Sequence, residues 1–253
     1  MSGVRFGHST QRVILMNIVL IGGTVEALVL AWELGVEHNI TVIEIEAEMG
    51  LPMTHPGRIM NSSILDDLFS EEQIAFLALK ENPDGYGCRW DWVMKHLAAN
   101  VARRGVSFMT RTRVLSCTKQ DDVYLLELTS SERSTPTHLL ADRVLQMHQP
   151  SGRGPGGRTH QLQPSTPPIF PHPKTTEWFG GTTLSSEHHA SSKADLILQR
   201  ADGMTELWWL KEPEWMPMYG FIEQCTTVLP EDKEQLSLDS VLSRVRDHAL
   251  KFV

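Results

Sequence analysis

The chain has 253 residues, 41% hydrophobic and 21% charged, enough for one large α/β domain or two smaller ones. A formal net charge of −8 argues against nucleic acid as the main partner and suits a cytoplasmic protein. The three cysteines, Cys88, Cys117 and Cys225, lack CxxC spacing, so neither a zinc site nor a redox dithiol is indicated.

Residues 1–15 read as a loose extension. Arg5 and Arg12 ahead of "VILMNIVLIGG" imitate a signal peptide, but Asn17, the glycines, Glu26 and Glu33 interrupt the run. It falls short of the roughly 20 apolar residues that a membrane span needs. Val19, Leu20 and Ile21 form the continuous apolar run of a parallel strand buried on both faces. After Gly22-Gly23-Thr24-Val25-Glu26-Ala27, the residues Val25, Leu28, Val29 and Trp32 recur at helical spacing, and Gly35 stands where a helix stops. A second apolar run, Ile40–Ile43, closes at Glu44, 22 positions after Gly22. Strand, glycine turn, helix, strand and a closing acid are the layout of a βαβ unit that holds an adenine dinucleotide.

Over the pattern G-x-G-x-x-G/A the special positions are Gly22, Thr24 and Ala27. Gly22 supplies the tight turn and Ala27 permits close helix–strand packing, with Gly23 between Gly22 and Thr24. Thr24 departs from the pattern, because a side chain there narrows the approach of a pyrophosphate to the backbone amides. Glu26 departs too. A carboxylate in the first helical turn suits the helix dipole, yet it competes with any bound anion for that positive region. Two readings stay open: Glu26 points to solvent, or it has taken over the anion site.

Beyond Glu46 a turn-rich loop runs to Asp67, and Ser70-x-x-Gln73 is a capping box that predicts a helix through Lys80. Asp91 is placed to cap the next helix, with Met94, Leu97, Ala98 and Val101 on one face and an end at Gly105. Strands follow at Val106–Met109, Arg113–Thr118, Val123–Thr129 and Arg143–Met147. Residues 149–176 contain seven of the 14 prolines and four glycines, which predicts a linker or long loop unable to pair into a sheet. His148, His160, His172 and the pair His188-His189 are unevenly placed loop histidines without metal-ligand spacing, so no metal site is expected. The remainder reads as mainly β, with strands at Ala194–Arg200 and Met204–Leu210 around the turn Ala201-Asp202-Gly203, and another at Tyr219–Leu229. Trp208, Trp209, Trp215, Tyr219 and Phe221 form an aromatic group suited to a sheet core or a substrate pocket. Leu236–Val253 reads as a terminal helix.

The segments "IVLIGGTVEALVLAWEL…ITVIE" and "WDWVMKHLAANVARRGVSFMTRTRV" resemble FAD-dependent oxidoreductases of the two-dinucleotide-binding-domain type. The resemblance implies an α/β chain: a Rossmann-like βαβ sheet with a β-meander insertion, and a smaller mainly-β domain ending in a helix. The implied division is 16–148 for the FAD/NAD(P)-binding domain and 177–253 for the substrate-like domain. It also implies FAD over Gly22, Gly23 and Thr24 with its ribose on Glu44, Arg58 as a phosphate or flavin contact, a small-molecule substrate, and hydride transfer at the flavin. Two family features are missing. The returning strand ends in Gln146-Met147-His148 rather than a small-residue motif, and no Gly-Asp dipeptide occurs to contact the ribityl chain. These departures favour the alternative of a non-catalytic relative with weakened or lost cofactor binding. A Rossmann methyltransferase ranks lower, since the second half is β-rich. A short-chain dehydrogenase fails because Trp90, Leu128 and Glu223, not lysine, stand four residues after the three tyrosines. Glu44 also disfavours NADP, whose 2′-phosphate it would repel. Catalytic residues and oligomeric state do not follow from the sequence.

Overall fold

The computed structural model describes residues 15–50, 54–147, 160, 162 and 167–252. Residues 1–14, His148 and most of the predicted linker therefore lie outside the described residues. The first strand, β1 (Asn17–Ile21), leads through the glycine turn into α1 (Val25–Leu34) and back to β2 (Asn39–Ile43), which pairs with β1 in parallel. A short hairpin sheet follows, from β3 (Arg58–Ile59), β4 (Lys80–Asn82) and β5 (Gly85–Gly87), with α2 (Glu71–Phe76) inside the loop before β4.

The predicted capping box at Ser70 is present in full, but its helix stops at Phe76 instead of Lys80. The cause lies in the next residues: Ala78 adopts a positive φ of 52°, and Lys80–Asn82 pairs across a turn with Gly85–Gly87. The next helix, α3 (Trp90–Arg103), buries Val93, Met94, Leu97 and Val101. Asp91 does not cap it. Arg89 holds the cap position, and Asp91 sits in the first turn, paired with the Arg89 guanidinium at 2.9 Å.

From α3 the chain enters β6 (Ser107–Met109), which extends the parallel sheet beside β2. It then forms an antiparallel meander of β7 (Thr112–Gln120), β8 (Val123–Ser130) and β9 (His138–Ala141), and returns as β10 (Arg143–Gln146) against β1. The parallel sheet thus has the order β10-β1-β2-β6. Despite its unusual sequence, the returning strand closes onto β1, and the Met147 N–H donates to the Ile21 carbonyl at 2.9 Å.

Alternation along β1 explains the layers. Ile18 and Leu20 pack with α1 and α3, while Val19 and Ile21 face Val114, Leu126 and Leu128 of the meander. The prolines of 149–176 do not keep the described end of that segment from pairing. Ile169 bridges to Gln146, and the Phe170 N–H donates to the Gln146 carbonyl at 2.8 Å.

The last sheet has the order β12-β13-β11-β14, from β11 (Thr175–Leu184), β12 (Leu196–Gln199), β13 (Met204–Trp209) and β14 (Glu223–Pro230). The predicted hairpin at 201–203 is there, with Gly203 at φ 82°. The terminal helix α4 (Leu238–Phe252) returns to lie on α1, its Val241, Leu242 and Val245 buried in the same core. Among the described residues no helix is long and apolar enough to cross a membrane.

Candidate functional site

The carboxyl ends of β1 and β2 bring together the residues singled out in the sequence. Gly22 has φ 110°, a conformation that a side chain strains, and its N–H donates to the Ile43 carbonyl at 2.8 Å. The turn is thereby stapled to the end of β2. Thr24 is the N-cap of α1, its Oγ1 accepting from the Ala27 N–H at 3.2 Å. Ala27 is fully buried between helix and sheet, as close packing requires.

Glu44 closes the arrangement. Its carboxylate accepts the Gly23 N–H at 2.5 Å through Oε2, and the N–H groups of Ile45 and Glu46 at 2.6 and 3.1 Å through Oε1. A residue 21 positions along the chain is thus seated on the glycine turn. Met49 is buried against the same place, where a Cβ on Gly23 would meet its sulfur and the Glu44 carboxylate. The hydrogen bonds described here engage the N–H groups of Gly22, Gly23, Ala27 and Leu28. Among the described residues the N–H groups of Thr24, Val25 and Glu26 have no acceptor, as expected for the open start of a helix.

Glu26 follows neither course considered for it. Its side chain is only 13% exposed, and its Oε1 lies 3.2 Å from Nη2 of Arg244 on α4. The Arg244 Nη1 donates to the backbone and side-chain oxygens of Gln235 at 3.1 and 2.9 Å. His55 lies within the electrostatic reach of this pair, stacked on Trp90 with ring centroids 4.3 Å apart. Burial lowers its pKa to about 4, with Glu26 opposing that shift and Arg244 adding to it. Neither Arg244 nor His55 is announced by local sequence, because the side chains they meet, Glu26 and Trp90, lie far along the chain.

Arg58 turns its donors elsewhere. Its buried guanidinium donates to the carbonyls of Asp84 and Lys233 and meets the Glu234 carboxylate at 3.2 Å. It joins the short hairpin sheet to the segment just before α4.

Of the aromatic group, Trp208 and Trp209 are buried, Trp209 and Trp215 each meet Phe221 edge-on, and Tyr219 is exposed. Trp208 packs with Trp178, Leu196 and Leu198 in the core of the last sheet.

No family model and no curated protein sequence matches this chain. Solved structures do. RebC soaked with chromopyrrolic acid is 15% identical with a TM-score of 0.54, over 85% of this chain and 51% of that one. The p-nitrophenol 4-monooxygenase PnpA from Pseudomonas putida is 14% identical with a TM-score of 0.54, over 85% and 68%. The flavin-dependent halogenase CmlS is 13% identical with a TM-score of 0.51, over 95% and 46%. The chain spans about half the length of RebC. At these identities the likeness is one of fold: the chain shares with RebC, PnpA and CmlS a mixed α/β architecture, here a parallel sheet joined by further antiparallel sheets.

Proposed function

We propose that this chain binds FAD at the β1–α1 turn and serves a flavin-dependent oxidoreduction of a small molecule. One observation carries the reading. The start of α1 offers the N–H groups of Thr24, Val25 and Glu26 without an acceptor among the described residues, and the acid closing β2 is seated beside them. Such a helix start favours a pyrophosphate, through its N–H groups and its dipole. The residues present fit the group: Gly22 and Gly23 shape the turn, the N–H groups of Thr24 to Glu26 would hold the pyrophosphate, and Glu44 would take the adenosine ribose hydroxyls.

When bound, FAD supplies hydride transfer at its ring system. The chain's own part is binding and orientation. The Gly23, Ile45 and Glu46 N–H groups hold the Glu44 carboxylate at the turn, where it would receive the adenosine ribose.

The test is direct. Purified protein is expected to be yellow and to release FAD on denaturation, and Glu44→Ala is expected to lose the colour. Colourless protein that takes up no added FAD would refute the proposal. That result would leave the alternative, a relative that keeps the fold with cofactor binding lost, which is favoured by Met49 lying against Gly23 at the turn.

A further inference from the structure

We infer that Arg244 is a positioning residue of the dinucleotide site, the counter-charge that allows an anion at the start of α1 despite Glu26; the inference rests on the FAD reading above. Glu26 occupies the second position of α1, within the turn of helix that a pyrophosphate would face. A carboxylate left alone there would repel the ligand across a poorly solvated gap, where charges are weakly screened.

The fold answers this with a residue 218 positions away. Arg244 projects from α4 and meets Glu26 at 3.2 Å, both side chains being largely buried. Its place does not depend on Glu26 alone, because Gln235 anchors Nη1 through two acceptors. His55, kept neutral by burial, adds no charge of its own near pH 7. Asp239, also on α4, is engaged by the Met60 and Asn61 N–H groups, and Glu33 on α1 pairs with Arg246 at 2.7 Å. Arg244 is therefore the cation that offsets Glu26, and the pair presents no net charge to the turn.

Opposite effects from the two halves of the pair follow. Arg244→Gln leaves the carboxylate uncompensated and is expected to weaken FAD binding about tenfold, the effect of one unit charge near an anion at partly screened depth. Glu26→Gln leaves the guanidinium uncompensated and is expected to tighten binding severalfold. The double variant returns close to the wild-type affinity, and Arg244→Lys recovers most of the loss. A purely structural pair would not give single variants of opposite sign.

The experiment is titration of the FAD-depleted protein with FAD, followed by flavin fluorescence at two salt concentrations, with urea melts to verify folding. Where Arg244→Gln does not fold, Glu26→Gln and the double variant carry the test, tightening in the first and reversal in the second. Wild type that binds FAD while Glu26→Gln fails to tighten it overturns this inference alone. Wild type that binds no FAD overturns the proposed function, and this inference with it.

Discussion

The βαβ unit of residues 17–43 and the four-stranded sheet of β11–β14 are both well buried, yet they are built on different terms. In the first, the hydrogen bonds that shape the turn join residues no more than 21 positions apart: Gly22 to Ile43, Ala27 to Thr24, Gly23 to Glu44. In the second, the contacts that seat the sheet against the rest of the molecule cross more than a hundred residues. The Asn82 side chain exchanges two hydrogen bonds with the Gln199 backbone, and the Gly57 N–H donates to Glu206 at 2.9 Å. A motif written in local spacing can be read from sequence, whereas an interface written in single polar contacts cannot.

The largest expected effect tests that interface. Glu206 is fully buried, accepts from Gly57, and pairs with Arg200 at 3.0 Å. Burial raises its pKa, with Arg200 and the Gly57 N–H opposing that rise. Glu206→Ala takes the acceptor from the Gly57 N–H and leaves the buried Arg200 guanidinium with Asp202 alone, and should cost about 3–5 kcal/mol in urea unfolding followed by tryptophan fluorescence. Glu206→Gln should cost less, since it keeps an acceptor. Equal losses from the two would mean that the site matters for packing rather than for pairing.

His55 lies where the early loop meets α4 and gives the next effect. The unfolded chain takes up its proton near pH 6.5, and the folded chain only near pH 4, because burial resists the charge. Its contribution to stability is thus complete above pH 6.5 and is lost as pH falls towards 4. The loss amounts to about 3 kcal/mol. Urea melts at stepped pH should show this slope in the wild type and a shallower one in His55→Phe. Parallel slopes would place the acid sensitivity elsewhere.

What the sequence revealed follows the same division. The parallel strands, α1, the meander strands β7 and β8, and the closing acid Glu44 were legible because each obeys a period or a spacing. Strand β11 was not, because Gly180-Gly181 interrupts its pattern. The structure supplies the reason: a Cβ on Gly180 would meet the Trp208 ring at 2.6 Å, and one on Gly181 would meet Phe221 at 2.6 Å. The glycines serve rings from other parts of the chain, and nothing local announces them. Glu26 teaches the same lesson at the site. Its position raised the conflict with a bound anion, but the resolution comes from Arg244 on the last helix.

A smaller effect is expected from a wholly local device. Ser70 and Gln73 form a reciprocal capping box at the start of α2, with bonds of 3.3 and 3.1 Å. Ser70→Ala should cost about 1 kcal/mol in the same urea assay. A loss as large as that of Glu206→Ala would erase the contrast between local and distant determinants.

A change in stability no larger than this separates folding from binding. At Gly23 an added methyl meets the Met49 thioether, on a flexible side chain that can turn aside, and the Glu44 carboxylate, whose bonds to backbone N–H groups must shift slightly. At Gly57 it meets the backbone carbonyl of Cys88, which cannot. Gly23→Ala should therefore cost about 1 kcal/mol, within the range of an ordinary substitution, while Gly57→Ala should cost clearly more. The methyl at position 23 nevertheless stands over the turn where a pyrophosphate would approach, so FAD uptake should fall even though the fold persists. A Gly23→Ala protein that melts like the wild type and binds FAD equally well would place the dinucleotide away from this turn. One that melts alike but binds poorly would tie the glycine to the ligand and not to the fold.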